Sequence, residues 1–226
     1  MSKSLIAAAW AAGLLAATPA AAASIVNGSF EAGAPIPAGG FTTESAGSGD
    51  ITGWTVGGVS VDYIGTYWQA ADGQRSIDLS GSIFDPQTNT ASGAVSQVLT
   101  TVTGKTYKVS FALAGNPDGP GGDSLKVLVT TASGAFPQVD TFLAGAGFNS
   151  HAAMGWVTKN FTFKATSGST LLAFASDNDS FYGPALDNVS ISAIPEPATW
   201  AMMIAGFGVA GATIRAARRR HALLVG

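Results

Sequence analysis

The sequence predicts an all-β protein, a single antiparallel β-sandwich of jelly-roll type, with an apolar segment at each terminus. Three observations carry that reading. Segments of alternating apolar and polar residues recur along the middle of the chain, as strands with one buried face require. The stretches between them, AGSGD, GNPDGPGGD, TSGST and SDNDSFYGP, are turn chemistry. No segment before residue 197 carries a convincing helical period.

Taken from the N-terminus, residues 1–23 read as a secretory signal peptide. Lys3 supplies the positive start, an apolar stretch runs from Leu5 to Ala17, and Ala21-Ala22-Ala23 offers a small-residue cleavage site before Ser24. The mature chain is expected to begin there, outside the cytoplasm. Residues 24–194 are expected to form one domain, with neither an internal repeat nor a linker to divide it. The clearest strands are TYKVSFALAG, SLKVLVTT, VTKNFTFKAT and LDNVSIS. Their alternation predicts Val109, Phe111, Leu113, Val127, Phe161, Phe163, Val189 and Ile191 on the inward face. Shorter strands are read at 60–64, 75–80, 94–100 and 170–176. The domain holds no cysteine, so a packed core must stabilise it without disulfides.

The remaining segment, 195–220, joins Pro195-Glu196-Pro197 and Trp200-Ala201 to an uncharged run and an arginine cluster. Ala198 to Ile214 is 17 residues without a charge. As a helix it would be about 25 Å long, against a hydrocarbon core of about 30 Å. The expectation is a transmembrane helix over 198–214, with Arg215, Arg218, Arg219 and Arg220 as a cytoplasmic stop. The two prolines would keep the stretch before it extended and accessible.

Charge excludes one class of function. Between Ser24 and Ile194 there are 13 acidic residues and 6 basic ones, so the exported body is about −7. Nucleic-acid binding calls for a basic patch, and none is expected here. Catalysis has little support. His151 is the single histidine before the tail and no serine sits in a nucleophile elbow. The acids mostly occupy Gly/Asn/Pro loops, where aspartate is ordinary turn chemistry. The domain is read as non-catalytic. Aromatics in polar, loop-like settings are the suggestive feature: Trp54, Tyr63, Tyr67, Trp68, Trp156 and Tyr182. Tyr67 and Trp68, followed by Gln69, Asp72 and Arg75, form the densest group and are the candidate sugar-binding residues. Sugar rings stack their C–H faces on aromatics while polar side chains bond the hydroxyls. Equally, these rings could fill the core and its corners.

Several segments occur in an order that resembles a known family. NGSFE at 27–31, GWTV at 53–56, DYIGTYWQAADGQRSIDLSG at 62–81, LAGNPDG at 113–119, MGWVTKNFTF at 154–163 and YGPALDNVSIS at 182–192 resemble the bacterial choice-of-anchor C family. That family is similar to a domain of unknown function from plant cell-wall proteins and, more distantly, to galactose-binding-like carbohydrate modules. The tail resembles a PEP-CTERM sorting signal of the Pro-Glu-Pro-x-x-Trp-Ala type. The resemblance implies a galactose-binding-like sandwich that binds exopolysaccharide or cell-wall glycan. It also implies processing by an exosortase-type enzyme, with transient residence in the inner membrane of a Gram-negative bacterium before release to the surface or extracellular matrix. The alternative it leaves open is a structural matrix or biofilm protein with no defined sugar. It further implies a structural Ca²⁺ held by Glu31 and Asp187, hard oxygen ligands of the kind that ion takes. The same two residues could instead cap turns at the domain's ends.

Overall fold

The structure is a computed structural model and describes residues 23–37, 40–119, 125–133, 137–144, 150–195 and 197–222. The signal segment therefore lies outside the described residues, apart from Ala23. The strands are β1 (Phe41–Ser45), β2 (Thr55–Gly58), β3 (Ser60–Ile64), β4 (Ser76–Asp78), β5 (Ser80–Asp85) and β6 (Thr90–Thr100). They continue with β7 (Thr106–Ala114), β8 (Leu125–Ala132), β9 (Pro137–Ala144), β10 (Val157–Lys164), β11 (Ser169–Ser176) and β12 (Ala185–Ile194), followed by helix α1 (Pro197–Ala222).

Two antiparallel sheets pack face to face. The first has the order β1-β3-β4-β12-β7-β10, and the second runs β2-β6-β11-β8-β9 with β5 attached to β6. The alternation read from the sequence fixes which side of each strand enters the core. Val109, Phe111 and Leu113 of β7, Phe161 and Phe163 of β10, Val127 of β8 and Val189 of β12 are all buried. Ile191 is half-buried and packs against them. Phe111 sits at the centre, its ring 5.0 Å from Phe174 and 5.2 Å from Phe142. Rings at such separations in edge-to-face geometry add to the burial of their own area.

The segment NGSFE closes one end of the sandwich. Asn27 takes a positive φ of 54° and Phe30 one of 58°. For a residue as bulky as phenylalanine that is a strained conformation. It is held because the Asn27 side chain bonds both backbone groups of Ala32 and the carbonyl of Thr52. The result buries Phe30 completely and turns Glu31 outward. Gly28 is needed there, since a Cβ would stand 2.0 Å from the Val189 carbonyl oxygen. Opposite, β12 shifts register between Asp187 and Ser190, and Val189 donates its N–H to the Gly28 carbonyl at 2.8 Å.

The tail corrects one expectation. A helix forms, but it starts at Pro197 and runs through the arginine positions to Ala222. Among the described residues no helix is long and apolar enough to cross a membrane. The expected transmembrane helix over 198–214, and with it membrane anchoring through the tail, is not upheld. Gly206, Gly208, Gly211 and Thr213 dilute the apolar run, and Arg215 ends it. Pro195 and Arg215 are exposed. Glu196 and the side chains of Pro197, Trp200, Ala201, Arg218, Arg219 and Arg220 lie outside the described residues.

Candidate functional site

The first sheet turns one face to the core and the other to the connections that leave its strand ends. Asp62 of β3 and Asp78 of β4 are direct cross-strand partners on that second face, and Thr43 of β1 lies opposite Asp62. Connections fold back over them. Trp68, from the β3–β4 connection, packs with Ile64, Ala114, Met154 and Ala185, and Phe41, Tyr67 and Trp156 lean on this small second core.

Between these covering segments lies a cleft of about 390 Å³. Phe41, Tyr67 and Trp68 line it as one aromatic group, and Phe181 and Tyr182 as another. Its floor is polar, with Asp62, Asp78, Ser82 and Asn116, and exposed Asp118 completes the lining. Each floor carboxylate is already oriented. Asp62 accepts from the Thr43 hydroxyl at 2.6 Å and from the Ser82 hydroxyl and N–H at 2.8 and 3.0 Å. Asp78 accepts from the Ser80 N–H at 2.9 Å and from the Asn116 amide at 2.7 Å. Burial pushes the Asp62 carboxyl above its ordinary value, against the bonds from Thr43 and Ser82. Burial raises Asp78 further still, opposed by Ser80, Asn116 and Gly183 and reinforced by the charge of Asp62. Gly183 lets the β11–β12 connection approach, because a Cβ there would stand 2.3 Å from Asp78 Oδ1.

Asp118 governs the mouth. It accepts from the Tyr67 hydroxyl at 2.8 Å and engages His151 Nε2 at 2.9 Å. The Tyr67 and His151 rings lie 4.5 Å apart. The bond to Asp118 holds the Tyr67 hydroxyl above its ordinary value. Three distant segments thus fix the half-buried Tyr67 ring.

The group read from the sequence is split by the fold. Tyr67 and Trp68 both reach the cleft, but Trp68 is only 4% exposed and donates its Nε1–H to Ser76 at 2.7 Å. It supports the wall from behind instead of presenting a stacking face. Gln69 and Asp72 do not line the cleft. The backbone of Gln69 accepts from Trp156 Nε1 and donates to the His151 carbonyl. Arg75 is taken up elsewhere: its guanidinium bonds the Tyr63 hydroxyl at 2.6 Å and sits 5.0 Å from that ring's centroid. It borders a separate recess of about 180 Å³ beside Ile36 and Thr66. Tyr63 and Trp54 are core residues, and Trp156 is half-buried.

Glu31 and Asp187, the residues expected at a calcium ion, grip one loop from its two ends. Asp187 Oδ2 accepts from the N–H groups of Ala71 and Asp72 at 2.7 and 2.9 Å, and Oδ1 from Asn188 at 2.6 Å. Glu31 Oε1 accepts from Gln74 and Arg75 at 2.7 and 2.8 Å. Burial pushes Asp187 up to about 7, against those three N–H bonds. Glu31 Oε1 and both Asp187 oxygens thus receive amide protons, and among the described residues no group of three or more His, Asp or Glu gathers beside them. The pair holds the 71–75 loop, and through it the β3–β4 connection that bears Tyr67.

Tyr182, one of the loop aromatics singled out in the sequence, does line the cleft, whereas Asp62, Asp78, Asn116 with Asp118, and Phe181 were not singled out. Asn116 and Asp118 stand in GNPDGPGGD and Phe181 in SDNDSFYGP, which read as solvated turns. The one visible signal was aspartate on the non-core side of two apolar strands, SVDYI and RSIDLS.

Comparison with known proteins agrees with this architecture. Halomucin of Haloquadratum walsbyi is 30% identical over 164 residues, which are 70% of this chain and 2% of that much longer protein. A cyclase from Fischerella sp. TAU, solved with 4-(1H-indol-3-yl)butan-2-one, is 16% identical. It aligns over 78% of this chain and 98% of its own with a TM-score of 0.52, a likeness of fold. The CBM22-1 xylan-binding domain of Paenibacillus barcinonensis Xyn10C is 18% identical over 72% of this chain and 99% of its own, at a TM-score of 0.45. Residues 193–220 match the PEP-CTERM protein-sorting motif, which marks the protein as exported and sorted to the surface. Residues 23–192 match "Protein of unknown function (DUF642)" over the whole sandwich, and the chain belongs to that family.

Proposed function

We propose that the protein is a non-catalytic carbohydrate-binding module displayed at the cell surface or in the exopolysaccharide matrix, with the cleft of the first sheet as its binding site. The observation that carries this reading is the cleft's build. Half-buried Tyr67 and exposed Tyr182 line the cleft together with oriented carboxylates and an amide. Such a pairing of apolar walls with a few fixed polar groups is what a small-molecule or sugar site requires. The floor acids are saturated by protein donors on one side and retain lone pairs for ligand hydroxyls on the other. Export and surface sorting place such a site where glycans are found. In this reading an exosortase-type enzyme acts near the exposed Pro195, and the body is of the choice-of-anchor C type. Glycan-array binding of the full chain tests the proposal. Signal on a defined sugar class that a Tyr182→Ala variant loses supports it; equal signal from both proteins places binding elsewhere.

A second reading has its own observation. The outer face of the second sheet exposes Val98, Leu171 and Val139, with Val98 67% exposed. A flat apolar sheet face suits a matrix protein that associates with other surface proteins. Silence across the array together with concentration-dependent sedimentation would favour it.

A further inference from the structure

The charge of the cleft and its extension over the surface carry one step more, and this step rests on the glycan reading above. Among the described residues, Asp62, Asp78 and Asp118 line the cleft, and no lysine or arginine does. The basic ring at the mouth, His151, is engaged by both oxygens of Asp118 at 2.9 and 3.1 Å. Sugar hydroxyls can donate to these carboxylates. A uronate or sulfate would instead be brought, partly desolvated, against the carboxylates of Asp62 and Asp118, with no lysine or arginine among the described lining residues to receive it.

The aromatic surface also continues past the cleft. The Phe181 ring lies 5.8 Å from that of Phe84 on β5, the two being 45% and 40% exposed, with Ile83 beside them. Exposed rings adjoining a pocket offer a second stacking position in line with the first.

We propose that the cleft and its Phe181–Phe84 ledge take a segment of an uncharged polysaccharide more than one sugar unit long, and reject the same chain once it carries carboxylates. Two features together carry this: an acid-floored cleft with aromatic walls, and a ledge that extends it.

Affinity electrophoresis of the full chain tests the inference. The probes are a neutral galactan, glucan and mannan, each also in a form whose primary hydroxyls have been oxidised to carboxylates, at low ionic strength. The expected result is retardation by at least one neutral polymer and binding weaker by about tenfold or more in its oxidised form. Phe84→Ala, an exposed site where folding is checked by far-ultraviolet dichroism, should weaken polymer binding roughly fivefold and leave the matching monosaccharide unaffected. Equal or tighter binding of the oxidised polymer overturns the charge inference and leaves glycan binding standing. An unchanged Phe84→Ala variant overturns the ledge. Retardation by no polymer, neutral or oxidised, overturns the glycan reading and this inference together.

Discussion

The two outer faces of the sandwich obey the same period-two rule and end as different surfaces. On the first sheet, Asp62, Ile64 and Asp78 point away from the core yet are buried, because connections fold over them. On the second sheet, Leu171 lies between Val98 and Ala132 across three strands, and Val98 stays open to solvent. Alternation decides which residues face the core; the connections decide what becomes of the rest. The first face is covered because Trp68, Met154 and Trp156 supply a second apolar cluster on which those connections rest. The cleft is the gap that this cover leaves.

Three variants and a pH series sharpen that contrast. The largest expected effect is on the core that both faces share. Phe111→Ala removes a fully buried ring in contact with Phe142, Phe161 and Phe174. It should cost about 3–5 kcal/mol by denaturant titration, and a wild-type unfolding midpoint would show that β7 is placed in the wrong register. Next come adjacent residues with opposite roles. Trp68→Ala should destabilise by about 3 kcal/mol, through lost packing and the lost bond to Ser76. Tyr67→Ala, at a half-exposed rim position, should change stability by about 1 kcal/mol or less while removing glycan binding. If the two variants lose stability equally, the wall and its support are not distinct.

The pH dependence is smaller. Asp62 and Asp78 have folded-state values raised above the ordinary 3.8 by burial. The folded state therefore holds these protons more tightly than the unfolded chain. The stability they contribute is fully present below pH 3.8 and is lost as pH rises through the raised folded values. Melting temperature should fall as pH is raised above about 4, and Asp78→Asn should flatten that fall. A parallel fall in wild type and variant would remove the buried acid from the explanation.

Much of the sandwich was legible because strands with one buried face write their orientation into the sequence. Tyr107, Val109, Phe111 and Leu113 alternate with smaller or polar residues, and the core follows. The site was legible at Tyr182 and at Tyr67. Its neighbour Trp68 carries the same side-chain chemistry, and which of two adjacent rings turns inward depends on a loop whose path is set by Glu31 and Asp187 from remote strands. Asn116 and Asp118 looked like turn formers, and locally Asn116 does accept the Asp118 N–H at 2.8 Å. Their further bonds to Asp78, Tyr67 and His151 span large sequence separations that no local pattern records. The helix beyond the sandwich was found with a different length and without membrane-crossing character, because an uncharged run rich in glycine and alanine scores as continuous by charge and as weak by apolarity.

The most direct test of the account is where on the molecule a glycan lands. Backbone amide shifts of the isotope-labelled full chain would be followed by NMR as a neutral oligosaccharide, cut from a polymer that the protein retains, is added. The account predicts shifts gathered at Tyr67, Asn116, Asp118, Phe181 and Tyr182, with Val98, Val139 and Leu171 unmoved. Shifts centred on those three aliphatic residues, with the cleft silent, would contradict it.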